Sequence, residues 1–389
     1  NGSSLSETLT NVTGASIDVV YTIFPTSDPE GCAGAGPQSF THTVTVESEP
    51  VGFDDIIPVQ CSNTIQYNFQ TQNINNTGNG GNSVLSLFSY TVSSNNAGVV
   101  AETDRIPADR SVSPLNHTYI NKTGTDAVIT YTVTPYALAG SNCEGDPFTV
   151  EFTIESDPVG FDEAVPIEIC SDFDGTSPLI YDLQGNIDDI VSGGNGVVSE
   201  FTYTVSGSLA LDANRPIRSS AGIDFSYVNQ TSSTKTITYV VTPYADTPNG
   251  CQGDSFTLRF DILPEPVGSD QSEIVCGGVA SPVNYIIQNA ISNGISSVFT
   301  YDVTSSNEAV VPTPAGLNRT VASADDINDN YTNTSSNSVT VTYTVTPFDD
   351  VTGCQGQNFD LDFVIIPGPA GTGDAEDVCS CLLYTSPSP

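Results

Sequence analysis

The segment Ile129-Thr-Tyr131-Thr-Val133-Thr-Pro135 alternates large apolar side chains with threonine. Successive side chains of a strand point to opposite faces, so this period of two marks a β-strand with one buried face. The phrase returns at Tyr239-Val-Val-Thr-Pro243 and Tyr343-Thr-Val-Thr-Pro347, with a weaker copy at Tyr21-Thr-Ile-Phe-Pro25. Its inward positions read Val19, Tyr21, Ile23; then Ile237, Tyr239, Val241; then Val341, Tyr343, Val345. A second alternating run follows each time: Phe148, Val150, Phe152, Ile154, with counterparts Phe256, Leu258, Phe260, Ile262 and Phe359, Leu361, Phe363, Ile365. A third run comes earlier, as Phe88-Ser-Tyr90-Thr-Val92, Phe201-Thr-Tyr203-Thr-Val205 and Phe299-Thr-Tyr301-Asp-Val303. Thr, Val, Tyr and Phe suit pleated, half-buried surface. The Gly, Asn, Ser and Asp clusters between the runs read as turns. Asn186-Ile-Asp-Asp-Ile190 is the exception, a candidate helical turn.

The tyrosines of the phrase are spaced by 110, 108 and 104 residues, so the chain is a tandem array. Two further phrases keep the same period. Pro50-Val-Gly52 returns as Pro158-Val-Gly160 and Pro266-Val-Gly268 and decays to Pro369-Ala-Gly371; Cys-x-Gly follows each tyrosine phrase at Cys32, Cys143, Cys251 and Cys354. Full repeats are therefore expected at 50–157, 158–265 and 266–368, with 1–49 the latter part of a preceding copy and 369–380 the start of another. The tail 381–389, Cys381-Leu-Leu-Tyr-Thr-Ser-Pro-Ser-Pro389, fits no position of the repeat. It resembles translated sequencing-adapter read-through, with a native Pro/Ser linker as the alternative. The chain lacks Met, which points to a processed product or a fragment. About seven short strands in ~105 residues, each with one polar face, fit two sheets packed face to face.

Tyr-Thr-Val-Thr-Pro, then Cys-x-Gly, then Phe-x-Val/Leu-x-Phe-x-Ile resembles the PKD-like and immunoglobulin-like modules of giant secreted surface proteins, especially of Bacteroidota. The resemblance covers residues 1 to about 379. It implies an all-β fold of tandem immunoglobulin-like (PKD-like) β-sandwich domains arranged as a rod. It also implies stalk, adhesin or fibre roles, and it brings no catalytic motif.

The chain has 46 acidic and 8 basic residues and a net charge of −38. Such a chain repels phosphate backbones and anionic headgroups, so no nucleic acid partner and no membrane insertion are expected. It contains no apolar run of the roughly 18 residues a spanning helix needs. Charged residues are 14% and apolar residues 38% of the chain. Together with the strand pattern, this separates it from disordered acidic tails.

Apart from Cys381, the cysteines fall into two repeating classes. Cys32, Cys143, Cys251 and Cys354 follow the tyrosine strand; Cys61, Cys170, Cys276 and Cys379 open the next repeat. A repeating pair in an acidic, strand-rich chain reads as a disulfide in an oxidising, extracellular compartment. Zinc fits less well, because no Cys-x-x-Cys occurs. If the loop before the last strand lies where the first strand begins, the pairs are Cys61–Cys143, Cys170–Cys251 and Cys276–Cys354. Cys32 and Cys379 are then left for intermolecular partners. The rival pairing of sequence neighbours, such as Cys143 with Cys170, has to span a strand of roughly 25 Å at ~3.3 Å per residue.

Asn11, Asn121, Asn229 and Asn333 each precede the repeat tyrosine by ten residues, and each begins Asn-x-Ser/Thr. They are candidate N-glycosylation sites, or turn asparagines before a strand. Acidic residues flank the linkers. Asp54, Asp55 and Asp162, with Asp172-Phe-Asp174-Gly175, are the candidate calcium ligands; a solvated acidic surface is the plainer reading. His42 takes an inward strand position equivalent to Val150 and Leu258, and His117 does not recur. No nucleophile–base constellation repeats, so no enzyme is expected. Lys122 and Lys235 occupy different repeat positions, which argues against a Lys–Asn isopeptide staple.

Two functions follow. One is a structural extracellular repeat protein, a segment of a cell-surface stalk, filament or fibre. Its partners are neighbouring repeats of the same longer chain or other copies, with Cys379 reaching Cys32 of a neighbour by strand exchange. The other is an adhesin that binds a glycan or protein through the variable stretches Asn96–Pro114, Ala210–Gly222 and Asn307–Leu317.

Overall fold

The computed structural model describes residues 4–25, 39–140, 142–277, 281–310, 320–322 and 326–368. In the stretch 50–157, the strands Ser86–Ser94, Ala127–Ala137, Phe148–Ile154 and Asp55–Gln60 form one sheet in that order. Asn63–Tyr67 and Leu115–Tyr119 form a second, two-stranded sheet. Residues 158–265 repeat the pattern with Ser199–Gly207, Lys235–Ala245, Phe256–Leu263 and Ile167–Cys170, an added edge strand Arg215–Ser219, and the pair Leu179–Tyr181 with Ile223–Phe225. Residues 266–368 repeat it again with Ser297–Ser305, Val339–Asp349, Phe359–Pro367 and Gln271–Gly277, an edge strand Thr320–Ala322, and the pair Ser281–Ile286 with Asp326–Tyr331. The fold is all-β, in tandem sandwiches, as the alternation predicts.

Each sandwich encloses its own core. Tyr131 faces Val150, Tyr239 faces Leu258 and Tyr343 faces Leu361 across the same antiparallel register. All six are buried. The threonines between them alternate to the outer face, as the period of two requires. The two-stranded sheet completes each core with Ile65, Tyr67, Leu115 and Tyr119, or with their counterparts. Burying one such side chain contributes about 1.5–3 kcal/mol. The helical turn expected near Asn186 is Leu183–Asp188, and Phe69–Ile74 and Ile287–Ala290 take the corresponding place. Each turn sends two apolar residues inward, Leu183 and Ile187 in the middle copy.

Residues 4–25 and 39–49 differ. Ile17–Ile23 pairs with Phe40–Val46, and among the described residues neither strand has another partner. Among the described residues no second sheet covers them, and Val19, Tyr21 and Ile23 are only half-buried. His42 lies opposite Tyr21 and is exposed, not packed as its strand position suggests. An inward position is buried only where a facing sheet exists.

One pairing sets up the rest of the molecule. The opening strand of each repeat runs parallel to the closing strand: Asp55–Gln60 on Phe148–Ile154, Ile167–Cys170 on Phe256–Leu263, and Gln271–Gly277 on Phe359–Pro367.

Candidate functional site at the junction between repeats

Cys61 follows the opening strand and Cys143 precedes the closing strand. Since these strands are parallel, the two cysteines lie at opposite ends of one sandwich; Gln60 is level with Ile154, the last residue of the closing strand. That 7-residue strand separates them by roughly 20 Å at ~3.3 Å per residue, well beyond the ~7 Å a disulfide tolerates. The pairing within a domain is overturned, and the neighbour pairing does not form. Cys61 bonds Cys251 with Cα atoms 5.3 Å apart, and Cys170 bonds Cys354 at 5.4 Å. Each cystine joins the far end of one repeat to the loop before the closing strand of the next. Cys143 and Cys276, both expected in cystines, carry free thiols, half-buried and exposed respectively. Cys32 and Cys379 lie outside the described residues.

The recurring asparagine closes the same end of each repeat. Asn121 is fully buried. Its Nδ2 donates to Thr125 O and Ile154 O at 2.8 Å each, and its Oδ1 accepts from Thr123 N and Oγ1. Asn229 repeats the set with Ser233, Ile262 and Thr231, and Asn333 with Asn337, Ile365 and Ser335. Asn11 does the same with Ala15, Val46 and Thr13. A glycan on Nδ2 would take one of these hydrogens and needs room that a buried amide lacks. The Ser/Thr at the third position is present because its hydroxyl closes the turn.

The linker phrases meet at the next repeat. A Cβ on Gly253, the glycine of Cys-x-Gly, would lie 1.9 Å from Pro158 O, and Gly145 and Gly356 abut Pro50 O and Pro266 O in the same way. Only glycine lets these two backbones approach. A Cβ on Gly160 of Pro-Val-Gly would lie 2.5 Å from the Phe256 ring. One clamp is not apparent in the sequence. Asn195 Oδ1 accepts from Val159 N, while its Nδ2 donates back to Asp157 O and Lys122 O of the preceding repeat. Asn82 and Asn293 hold their junctions in the same way. Their distance from Pro-Val-Gly differs in each repeat, which hides them from a periodic reading.

Carboxylates at the junctions serve the backbone. Asp54 Oδ1 accepts from Thr149 N and Oγ1, which holds its carboxyl below the usual range. Asp162 and Asp270 accept from Thr257 N and Asp360 N. Asp55 accepts from the Tyr67 hydroxyl, and Asp174 from Thr176. Asp172 accepts from Ser177 N. The calcium candidates fall at different junctions: Asp54 and Asp55 at the start of one repeat, Asp162 at the start of the next, and Asp172 with Asp174 in one loop near Glu265. Among the described residues, the one three-ligand grouping of metal-binding type is Cys61, Glu155 and Cys251, and its two sulfurs are bonded to each other. At the following junction, Asp172 Oδ2 and Glu265 Oε2 are buried without a hydrogen-bond partner among the described residues. Burial raises the Glu265 carboxyl above its ordinary value, and Asp174 and Asp172 add to the shift.

Inside each sandwich lies a second recurring group. Tyr119 and Tyr131 share a hydroxyl hydrogen bond of 2.8 Å, as do Tyr227 and Tyr239, and Tyr331 bonds Tyr343. A carboxylate completes each set: Glu102 for Tyr131, Asp212 for Tyr203 and Tyr239, Asp329 for Tyr343. The sequence carried the signal as Tyr-x-Asn-x-Ser/Thr, at Tyr119, Tyr227 and Tyr331. The first two variable stretches are pinned over this region, while 311–317 of the third lies outside the described residues. Arg105 and Arg215 stack on Tyr90 and Tyr203, and Arg110 and Arg218 stack on Tyr136 and Tyr244.

Sandwiches joined end to end by cystines and asparagine clamps define a tandem repeat protein of structural or adhesion type. The chain belongs to the PKD-like domain family, whose profile matches residues 1–50, 60–158, 195–266 and 274–369. Domains of this kind are typically extracellular and non-catalytic. None of the curated proteins matches the chain. Similar solved structures include the EC1–3 domains of mouse clustered protocadherin PcdhgC3, at 8% identity over 82% of this chain and all of that one, TM-score 0.31. The FN1–FN3 domains of chicken CNTN1 match at 8% identity over 81% and 99%, TM-score 0.26. The EC22–24 domains of mouse cadherin-23 match at 11% identity over 81% and 96%, TM-score 0.26. Likeness at these scores sets no relationship to those proteins. Among the described residues, no helix is long and apolar enough to cross a membrane.

Proposed function

We propose that the chain is a load-bearing segment of an extracellular stalk or filament, built from repeat units at 50–157, 158–265 and 266–368. The observation that carries this reading is the cystine between successive repeats. A linker that only spaced two domains would need no covalent bond beside the peptide chain. The Cys61–Cys251 staple spans 190 residues, so a pulling force bypasses that length of chain. Single-molecule extension from the two ends tests this. Reduction is expected to lengthen the fully extended chain by at least ~600 Å at ~3.3–3.6 Å per residue. Equal lengths with and without reductant would sink the reading.

Adhesion is the second reading. A groove of about 400 Å³ between Tyr203, Arg215 and Tyr244 favours it, since aromatic and guanidinium faces suit a sugar or peptide. A glycan array that gives no binding sensitive to Arg215→Ala would remove it.

A further inference from the structure

The junction between 50–157 and 158–265 supplies its own cation. Burial raises the carboxyl of Asp157 in that linker, and Ser62 and Lys122 offset part of the rise. Lys122 Nζ also lies 2.5 Å from Asp254 Oδ2. One repeat later the matching positions read differently. Gln230 takes the place of Lys122 after the recurring asparagine, and Gln357 that of Asp254 after Cys-x-Gly. Glu265 stands for Asp157 before Pro-Val-Gly, and Asp172 replaces Asn63 two residues after the opening cysteine. The ammonium is gone, whereas Asp172 and Asp174 act with burial to raise the Glu265 carboxyl. Among the described residues no basic side chain pairs with any of the three. Two of these carboxylates keep an oxygen to spare. Glu265 is 0% and Asp172 3% exposed. Glu265 Oε1 accepts from Gln230 Nε2 and Asp172 Oδ1 from Ser177 N, each at 2.9 Å. The second oxygen of each is buried without a partner, a costly state for a charged group. A cleft of about 290 Å³ between Gln230, Ser269, Asp270, Gln357 and Asn358 runs beside Glu265.

We infer that Asp172 and Glu265 hold a calcium ion at the junction between 158–265 and 266–368, in place of the lysine used one repeat earlier. Carboxylate oxygens are hard ligands, and Ca²⁺ accepts a flexible shell of roughly six to eight oxygens, so water entering by the cleft completes the set. Asp174, on the same loop as Asp172, adds charge. So few protein ligands match a weak site of extracellular type, with Kd about 10⁻⁴–10⁻³ M. The ion ties the loop after Cys170 to the linker Glu265-Pro266. That linker is also held by Asn293, whose Nδ2 donates to Glu265 O at 2.8 Å, and the Cys170–Cys354 cystine crosses the same junction. Calcium thus fastens a junction whose backbone is already clamped, where the preceding junction uses Lys122.

The test is equilibrium dialysis of the intact, oxidised chain against radiolabelled calcium after stripping with chelator. One site in the stated range is expected. Glu265→Gln and Asp172→Asn are each expected to weaken it at least ~10-fold, since affinity follows the charge of the ligands. Asp162→Asn, at the preceding junction, is expected to leave it unchanged. Gln230→Lys restores the ammonium; it is expected to abolish calcium binding and to raise the thermal midpoint in chelator. A non-reducing peptide map that finds the Cys170–Cys354 crosslink in every variant shows that the junction is assembled. No binding at ~10 mM calcium, well above the expected Kd, overturns the inference. So does equal binding by the original chain, Glu265→Gln and Gln230→Lys, which would mark calcium as a diffuse counterion of an acidic surface. Neither result touches the load-bearing reading, which stands or falls with the cystines.

Discussion

Asn229 shows what one residue does in this fold. Its amide ties the Asn-Gln-Thr turn to Ile262 at the end of the closing strand. Asn229→Ala leaves buried carbonyls unpaired and is expected to cost about 2–4 kcal/mol, read as a lowered urea midpoint. Thr231→Ser is expected to cost little, because Ser335 performs the same task in the next copy. Tryptic peptides bearing Asn121 and Asn229 are expected to show unmodified mass. The tyrosines add a pH dependence. Burial pushes Tyr90, Tyr181 and Tyr203 up to about 12, and Tyr239 higher, with the Tyr227 hydroxyl adding to that shift. A raised value means that the folded state holds the proton. That stability is therefore complete below about pH 10, the ordinary tyrosine value, and is lost as pH rises through the folded values. Alkaline unfolding is expected to coincide with ionisation of these buried tyrosines; site-resolved NMR that shows the Tyr203 or Tyr239 phenolate at pH 10 with the fold intact would contradict this.

At the scale of elements, the contact between Cys-x-Gly and Pro-Val-Gly leaves no room for a side chain. Gly253→Ala places a methyl group against Pro158 O and is expected to loosen the junction while leaving both sandwich cores folded. Faster hydrogen exchange at Val159 and Phe161, with the core strands unchanged, is the measurement. Glu265 gives a prediction of opposite sign. Its folded value is raised, so the penalty for holding it charged grows as pH rises through the carboxylate range and is complete at neutral pH. In chelator, Glu265→Gln removes that charge and is expected to raise stability by about 1 kcal/mol at pH 7, a gain that vanishes at acid pH. A gain that persists unchanged at pH 3 would show that charge is not its cause. The exposed Lys122–Asp254 pair across the preceding junction contributes at most about 1 kcal/mol.

Across the whole molecule, the two staples close overlapping loops of 190 and 184 residues. In the chain-entropy account each loop adds about 5 kcal/mol. Reduction is therefore expected to lower the thermal midpoint and to split one transition into several, as the repeats lose covalent coupling. A calorimetric trace unchanged by reductant would contradict the staples. A chelator is expected to act at the Glu265 junction alone, because Asp54 and Asp162 already bind strand amides.

Alternation settled three strands of each full repeat, their inward faces and the tandem period, because side-chain direction in a strand is a local property of the backbone; the opening strand and the two-stranded sheet were not legible. Tyr131, Tyr239 and Tyr343 were identifiable as core residues for that reason. The cysteine positions were legible too, but their partners were not. Partnership depended on whether the opening strand runs parallel or antiparallel to the closing strand, a pairing between residues nearly a hundred apart. Parallel pairing placed Cys61 beside the next repeat and left Cys143 at the opposite end. The Asn-x-Thr phrase was ambiguous in the same way. Its glycan and turn readings share one sequence, and the burial against Ile154 that favours the turn is visible only in the tertiary structure. Local geometry is written residue by residue, whereas strand direction and burial are set by what the distant chain packs against.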